Sequence, residues 1–250
     1  MKTFGNRTIR ALLILTAGLL LTLPANAKDK AKGATEDTVD SGSFGVFSGG
    51  HRVATETFAI KQGPEGSNVT SVFKSAQGEL QAEQSSELQL TPSADLRHYQ
   101  WRSISPEKIE ASVAPSGDFL VEHFTTGTDS KPHEQNFLLP ASTMVLDDYF
   151  FVQREVLAWK YMATSCKKEK GALQCPFQPV QFGTLNPHAR SSMAVSIEFA
   201  KRDKATFHGA EQEFNKFIMK SEVGDWTIWL DDQFKLIRLT DDSGTEVVRD

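Results

Sequence analysis

The chain has 250 residues, with 27 Lys and Arg against 32 Asp and Glu for a formal net charge of −5, and 39% of it is hydrophobic. That length and apolar content suit one domain of moderate to large size. The acidic balance, with no Lys/Arg cluster to override it locally, excludes nucleic acid and anionic membrane surfaces as electrostatic partners.

Positions 1–27 have the layout of a cleavable secretory signal. Lys2, Arg7 and Arg10 stand without an acidic residue, Ala11 to Leu23 is almost unbroken apolar chain, and Pro24 leads into Ala25-Asn26-Ala27, which places cleavage between Ala27 and Lys28. The apolar run is shorter than the roughly 20 residues that span a bilayer, and charged Lys28, Asp29 and Lys30 follow at once, so no retained membrane span is expected. No cysteine follows the run to take a lipid anchor. A periplasmic or secreted location follows. Lys28 to Ser41 is polar and lacks large apolar residues, so it reads as a flexible leader, 28–41, into a single β-rich domain, 42–250.

From Gly42 onward short apolar-alternating runs are broken by turn residues, the pattern of an antiparallel sheet. Gly49-Gly50 sits between Phe44 to Phe47 and Arg52 to Ile60, as a tight hairpin requires. Turns at Gly63-Pro64-Glu65-Gly66, Pro92 to Asp95 and Pro115 to Asp118 then separate Val69 to Ser75, Glu87 to Leu90, Leu96 to Ile104, Lys108 to Val113 and Phe119 to Thr125. Met144 to Met162 departs from this. It lacks Gly and Pro and places Val145, Tyr149, Val152, Val156, Trp159 and Met162 at three- and four-residue steps, which predicts an amphipathic helix with Ser142 as N-cap and Asp147 and Asp148 in its first turn. Strands resume with Phe177 to Phe182, the alternation Met193, Val195, Ile197 and Phe199, then Ala205 to Lys220, Asp225 to Leu230 and Phe234 to Thr240. The expected fold is mainly β, a curved antiparallel sheet, open or half barrel, packed on one long helix.

Cys166 and Cys175 form an even pair across a polar segment in a chain expected to be exported. They read as one local disulfide, because the spacing is not Cys-x-x-Cys and no second thiolate pair exists for a metal. No Gly-x-Ser-x-Gly nucleophile elbow occurs, and the three Ser-x-x-Lys matches, at Ser71, Ser105 and Ser165, lack the Ser-Asp-Asn and Lys-Thr-Gly partners of penicillin-recognising enzymes. His133-Glu134-Gln135-Asn136-Phe137 opens like a zinc-protease helix, but Phe137 replaces the second ligand and Pro132 places the segment in a loop. His123 and His133, which strand pairing could bring together, are the weak metal candidates; no cofactor is implied. Tyr99, Trp101, Phe119 and Trp226 lie on separate strands and Trp159 on the helix, so the aromatics either fill a solid core or line a cleft for an apolar ligand.

From Phe44 to its end the chain resembles exported bacterial proteins of unknown function. The resemblance rests on a hairpin like Gly45-Val46-Phe47-Ser48-Gly49-Gly50-His51-Arg52-Val53-Ala54-Thr55-Glu56, a central Val145-Leu146-Asp147-Asp148-Tyr149-Phe150-Phe151, and an ending like Trp229-Leu230-Asp231-Asp232-Gln233-Phe234-Lys235-Leu236-Ile237-Arg238-Leu239. More distantly it is similar to periplasmic half-barrel proteins of the lipoprotein-carrier kind, which implies a curved sheet cupping a helix with room for an acyl chain, and no catalytic residues. The expectation is a non-enzymatic periplasmic or secreted protein that binds an apolar ligand, a lipid for instance, or an envelope partner. The competing readings are a secreted hydrolase with a site around His123, His133 and Glu134, and a purely structural interaction protein.

Overall fold

A computed structural model describes residues 36–75, 82–127, 129–169, 172–207 and 209–250. The segment expected to be a signal, the Ala27/Lys28 junction and His208 lie outside them. The first arm of the fold is an up-and-down meander of β1 (Asp37–Ser48), β2 (His51–Gly63), β3 (Gly66–Ser75), β4 (Glu83–Leu90), β5 (Leu96–Ser105), β6 (Ile109–Ser116), β7 (Phe119–Thr126) and β8 (Asp129–Phe137). After β9 (Met144–Val145) comes helix α1 (Val152–Ser165) and the short hairpin β10 (Lys167–Glu169) and β11 (Ala172–Gln174). The second arm is β12 (Val180–Asn186), β13 (Ser191–Phe207), β14 (Ala210–Ser221), β15 (Gly224–Leu230), β16 (Leu236–Asp241) and β17 (Thr245–Arg249).

Fifteen strands make one sheet in the order β8-β7-β6-β5-β4-β3-β2-β1-β17-β16-β15-β14-β13-β12-β9. The two arms join through β1 and β17, with Phe44 opposite Arg249, and every pairing is antiparallel except the parallel contact of β9 with β12. β8 and β9 end the order without pairing with each other, so the sheet is large and open, not a closed barrel. Register puts alternate residues into continuous inward rows. One runs Ile60, Val69, Leu88, Tyr99, Val113, Glu122; its neighbour runs Phe58, Ser71, Ser86, Trp101, Ala111, Phe124. Helix α1 lies on this inner face, and most of its residues from Val152 to Tyr161 are buried, charged Arg154, Glu155 and Lys160 included.

Five departures from the sequence reading have local causes. β1 begins at Asp37, inside the segment expected to be leader, because Asp37 and Thr38 pair with Gln62 and Lys61 and buried Asp40 is tied to Arg249 and Lys235. The helix starts at Val152, not Met144: β9 pairs with β12, and the Asp147 carboxylate accepts from the Tyr149 amide, a local turn that competes with helix. Ser142 is not its cap; the Ser142 carbonyl accepts from Lys160 Nζ instead. The segment around Pro132 is edge strand β8, where a missing N–H is tolerated. Ala205 to Lys220 is not one strand but the end of β13 and most of β14, reversing at Gly209, whose φ of 79° favours glycine.

The disulfide between Cys166 and Cys175 is formed and closes the β10/β11 hairpin onto the helix exit. Replacing both cysteines with serine should lower stability by about 2–3 kcal/mol, the loop-closure term for so short a ring. Urea unfolding of the double variant against the oxidised chain measures it. The disulfide, and the lack among the described residues of a helix long and apolar enough to cross a membrane, are compatible with an exported protein.

Candidate functional site

Burying a helix inside a sheet leaves its polar groups to be matched by the sheet, and the matches define the chemistry of the interior. At the N-terminus of α1 no local side chain caps the backbone. Glu56 reaches from β2 to do so: Oε2 accepts from the Phe151 amide at 2.7 Å, and Oε1 accepts from the Val152 amide at 3.3 Å and from Ser71 Oγ at 2.7 Å. Full burial pushes the Glu56 carboxyl up to about 7 against those donors. Lys160 Nζ donates to the carbonyls of Ala94 at 2.8 Å and Ser142 at 3.0 Å and to Asp95 at 3.1 Å, which satisfies the ammonium completely. Glu155 faces Arg249 and Asp40; burial and then the Asp40 charge push its carboxyl well above the usual range.

Where the two arms of the open sheet face each other, Asp147 is the hub. Its Oδ2 accepts from Tyr99 Oη at 2.7 Å and lies 2.6 Å from His188 Nδ1, and its Oδ1 accepts from the Tyr149 amide at 3.1 Å. His188 comes from the turn between β12 and β13. Its Nε2 lies 2.6 Å from Gln84 Oε1 on β4, and its ring stacks on Trp101 at 3.6 Å between centroids. Arg190 in the same turn, held at a φ of 50°, lies over Phe124 of β7, and its carbonyl accepts from Gln135 of β8. Beneath it Glu122 is 1% exposed, with neither oxygen hydrogen-bonded among the described residues; burial pushes its carboxyl up to about 7, with Arg190 opposing and Asp147 adding to the rise. A carboxylate and an imidazole in this order resemble half a catalytic triad, but the far ring nitrogen meets an amide where a nucleophile would have to stand. This cluster fastens β4, β5 and β7 to the β12/β13 turn.

The aromatics singled out in the sequence separate into several places. Tyr99 and Trp101 belong to the fastening just described. Phe119 is 43% exposed at the start of β7. Trp226 carries the Arg154 guanidinium over its ring at 4.7 Å. Trp159 lies on α1, beside the helix exit. Its Nε1 donates to the Phe234 carbonyl at 2.6 Å, and it lines two cavities. One, about 160 Å³, runs between α1 and β2, β3 and β4 past Ile60, Val69, Leu90 and Val156; the other, about 490 Å³, is bounded by Val39, Met162, Leu173, Phe234 and Cys166. Both share Gln62, Trp159 and Ala163, so they adjoin along the helix. Phe234 frames its mouth from a turn held by Asp231 Oδ1, which accepts from the Gln233 and Lys235 amides, with Phe234 itself at a φ of 61°.

His123 and His133 do not converge. In the β7/β8 register His123 lies opposite Glu134 and Phe124 opposite His133, so the two histidines point to opposite faces of the sheet. Among the described residues no group of three or more His, Cys, Asp or Glu is placed to hold a metal. The sequence pattern assigns no interior role to Glu56, Glu122, Asp147, Arg154 or His188, of which the first four are buried and His188 half-buried. Glu56 and Glu122 stand in inward phase, in Ala54-x-Glu56-x-Phe58 and Leu120-x-Glu122, which is a legible signal.

The fold has a solved counterpart. The chain is similar to a β-barrel-like protein of domain of unknown function DUF1849 from Brucella abortus, with a TM-score of 0.51 and 9% identity over 84% of this chain and 93% of that one. At that identity the likeness concerns the fold alone. No protein-family model and no curated protein matches the chain.

Proposed function

We propose that this is a non-enzymatic protein of the bacterial periplasm that binds a single apolar chain, such as an acyl chain, in the cleft along α1. The observation that supports the reading is the adjacency of the two cavities at Trp159 and Ala163, with mostly apolar walls from Ile60, Val69, Leu90, Met162, Leu173 and Phe234. The strained Phe234 backbone at the mouth is a second support, since left-handed non-glycine residues persist where the surroundings over-determine them, often at ligand clamps.

The reading predicts that protein purified from the periplasm without detergent carries a lipid-sized adduct in native mass spectrometry, released by organic extraction. Ala163→Trp should fill the cleft without disturbing the core, since Ala163 is exposed to it. Affinity for a dansylated undecanoic acid probe should then fall at least tenfold with unchanged circular dichroism. A clean apo mass together with no probe binding, or equal binding by the filled variant, would sink the proposal.

A further inference from the structure

At the opposite end of α1 lies a third cavity, about 650 Å³, whose lining includes Asp148, Phe151, Arg154, Trp226, Asp241 and Asp242. Its chemistry differs from that of the apolar cleft. Arg154 is 7% exposed, with its guanidinium stacked over Trp226 at 4.7 Å and Phe151 at 5.2 Å. Its one hydrogen bond among the described residues runs from Nη1 to the Asp147 carbonyl at 3.2 Å; Nε is buried with no acceptor. A buried guanidinium is ordinarily paired with a carboxylate, and no ion pair is formed here even though Asp148, Glu56, Asp147 and Asp241 are near enough to favour its charge.

The three carboxylates of the lining do not fill that vacancy in the pairing. Asp241 is committed to its own turn, where Oδ1 accepts from the Ser243 amide at 3.0 Å and the Thr245 amide at 2.7 Å. Asp148 and Asp242 are exposed and make no ion pair among the described residues. The cavity therefore presents a buried cationic group with the Phe151 and Trp226 rings against it, and two exposed carboxylates in the same lining. An anion alone would be repelled by the carboxylates, and a cation alone would leave Arg154 unmatched.

We infer that this cavity binds a small zwitterion of the amino-acid type, its carboxylate toward Arg154, its ammonium toward Asp148 and Asp242, and its apolar body against Trp226. The same pair of charges occurs in a free amino acid and in a short peptide with both ends free. Isothermal titration of the full domain with L-phenylalanine and with L-alanyl-L-alanine separates these sources, while phenethylamine and 3-phenylpropionate each carry one pole only. The expected result is binding of at least one zwitterion, tenfold or more tighter than either single-charge control, with amide and indole shifts at Gly224 and Trp226 in ¹H–¹⁵N spectra. Asp148→Asn with Asp242→Asn changes only exposed side chains and should weaken that binding at least fivefold. Absence of binding by both zwitterions, controls that bind equally well, or an unaffected double variant would each overturn the inference. None of these outcomes bears on the apolar cleft, whose probe and variant are different.

Discussion

Replacing His188 with alanine is expected to lower the free energy of unfolding by about 1–3 kcal/mol, the cost of leaving a buried carboxylate short of a hydrogen-bond partner. The fully buried Asp147 carboxylate would lose its contact with Nδ1, Gln84 would lose its partner, and Trp101 would lose a ring stacked at 3.6 Å. The effect should exceed that of an ordinary buried hydrogen bond because of where the cluster lies. The sheet is open, and away from the β1/β17 seam the contacts that carry its first arm to the β12/β13 turn include Gln135 to the Arg190 carbonyl, Arg190 over Phe124, and this network. His188→Phe keeps the stack and removes both ring nitrogens, so the difference between the two variants isolates the polar part. Urea unfolding with a double-mutant cycle to Asp147→Asn is the measurement, and a coupling energy near zero would show that the two side chains touch without depending on each other.

The strands were legible because the inward rows are apolar for most of their length. Val69, Leu88, Tyr99 and Val113 follow one another in register, and their alternation is visible in the sequence of each strand. The start of the helix was not legible, because Met144 to Phe151 is buried and apolar at helical steps while a local Asp147 turn and the pairing of β9 hold it extended. The interior polar groups were legible only singly. Asp147 and His188 are 41 residues apart and His188 and Gln84 are 104 apart, so no spacing rule could have joined them. Trp159 and Trp226 look alike as aromatic positions in the sequence, yet one lines an apolar cleft and the other supports a buried guanidinium, a distinction that only the strand order creates.

Stability should fall as pH rises from about 4.5 toward 7, the reverse of the usual behaviour of paired carboxylates. Glu122 and Glu56 keep their protons up to about 7 in the folded chain, whereas in the unfolded chain they ionise near 4.5. The folded state therefore holds more protons across this window, so its advantage is complete below 4.5 and is lost as pH climbs through the folded value. Asp40 works in the other direction but lower down: Arg249, Glu155 and Lys235 hold it below 3.8 despite burial, so its contribution is lost only in stronger acid. Of the two glutamates, Glu122 is the informative one to change, since neither of its oxygens has a hydrogen bond to lose. Glu122→Gln should raise stability at pH 8 by about 1–3 kcal/mol, the penalty of an unmet buried charge, and should leave it nearly unchanged at pH 4. Glu56→Ala should instead destabilise by about 1–2 kcal/mol at pH 4, because the amides of Phe151 and Val152 would lose their cap, and the loss should shrink at pH 8, where the native chain also carries the cost of the buried Glu56 charge. Urea midpoints for the native chain and both variants at pH 4 and 8 decide the matter. A Glu122→Gln gain that is equal at the two pH values would mean that shape, not ionisation, sets the cost of that carboxyl.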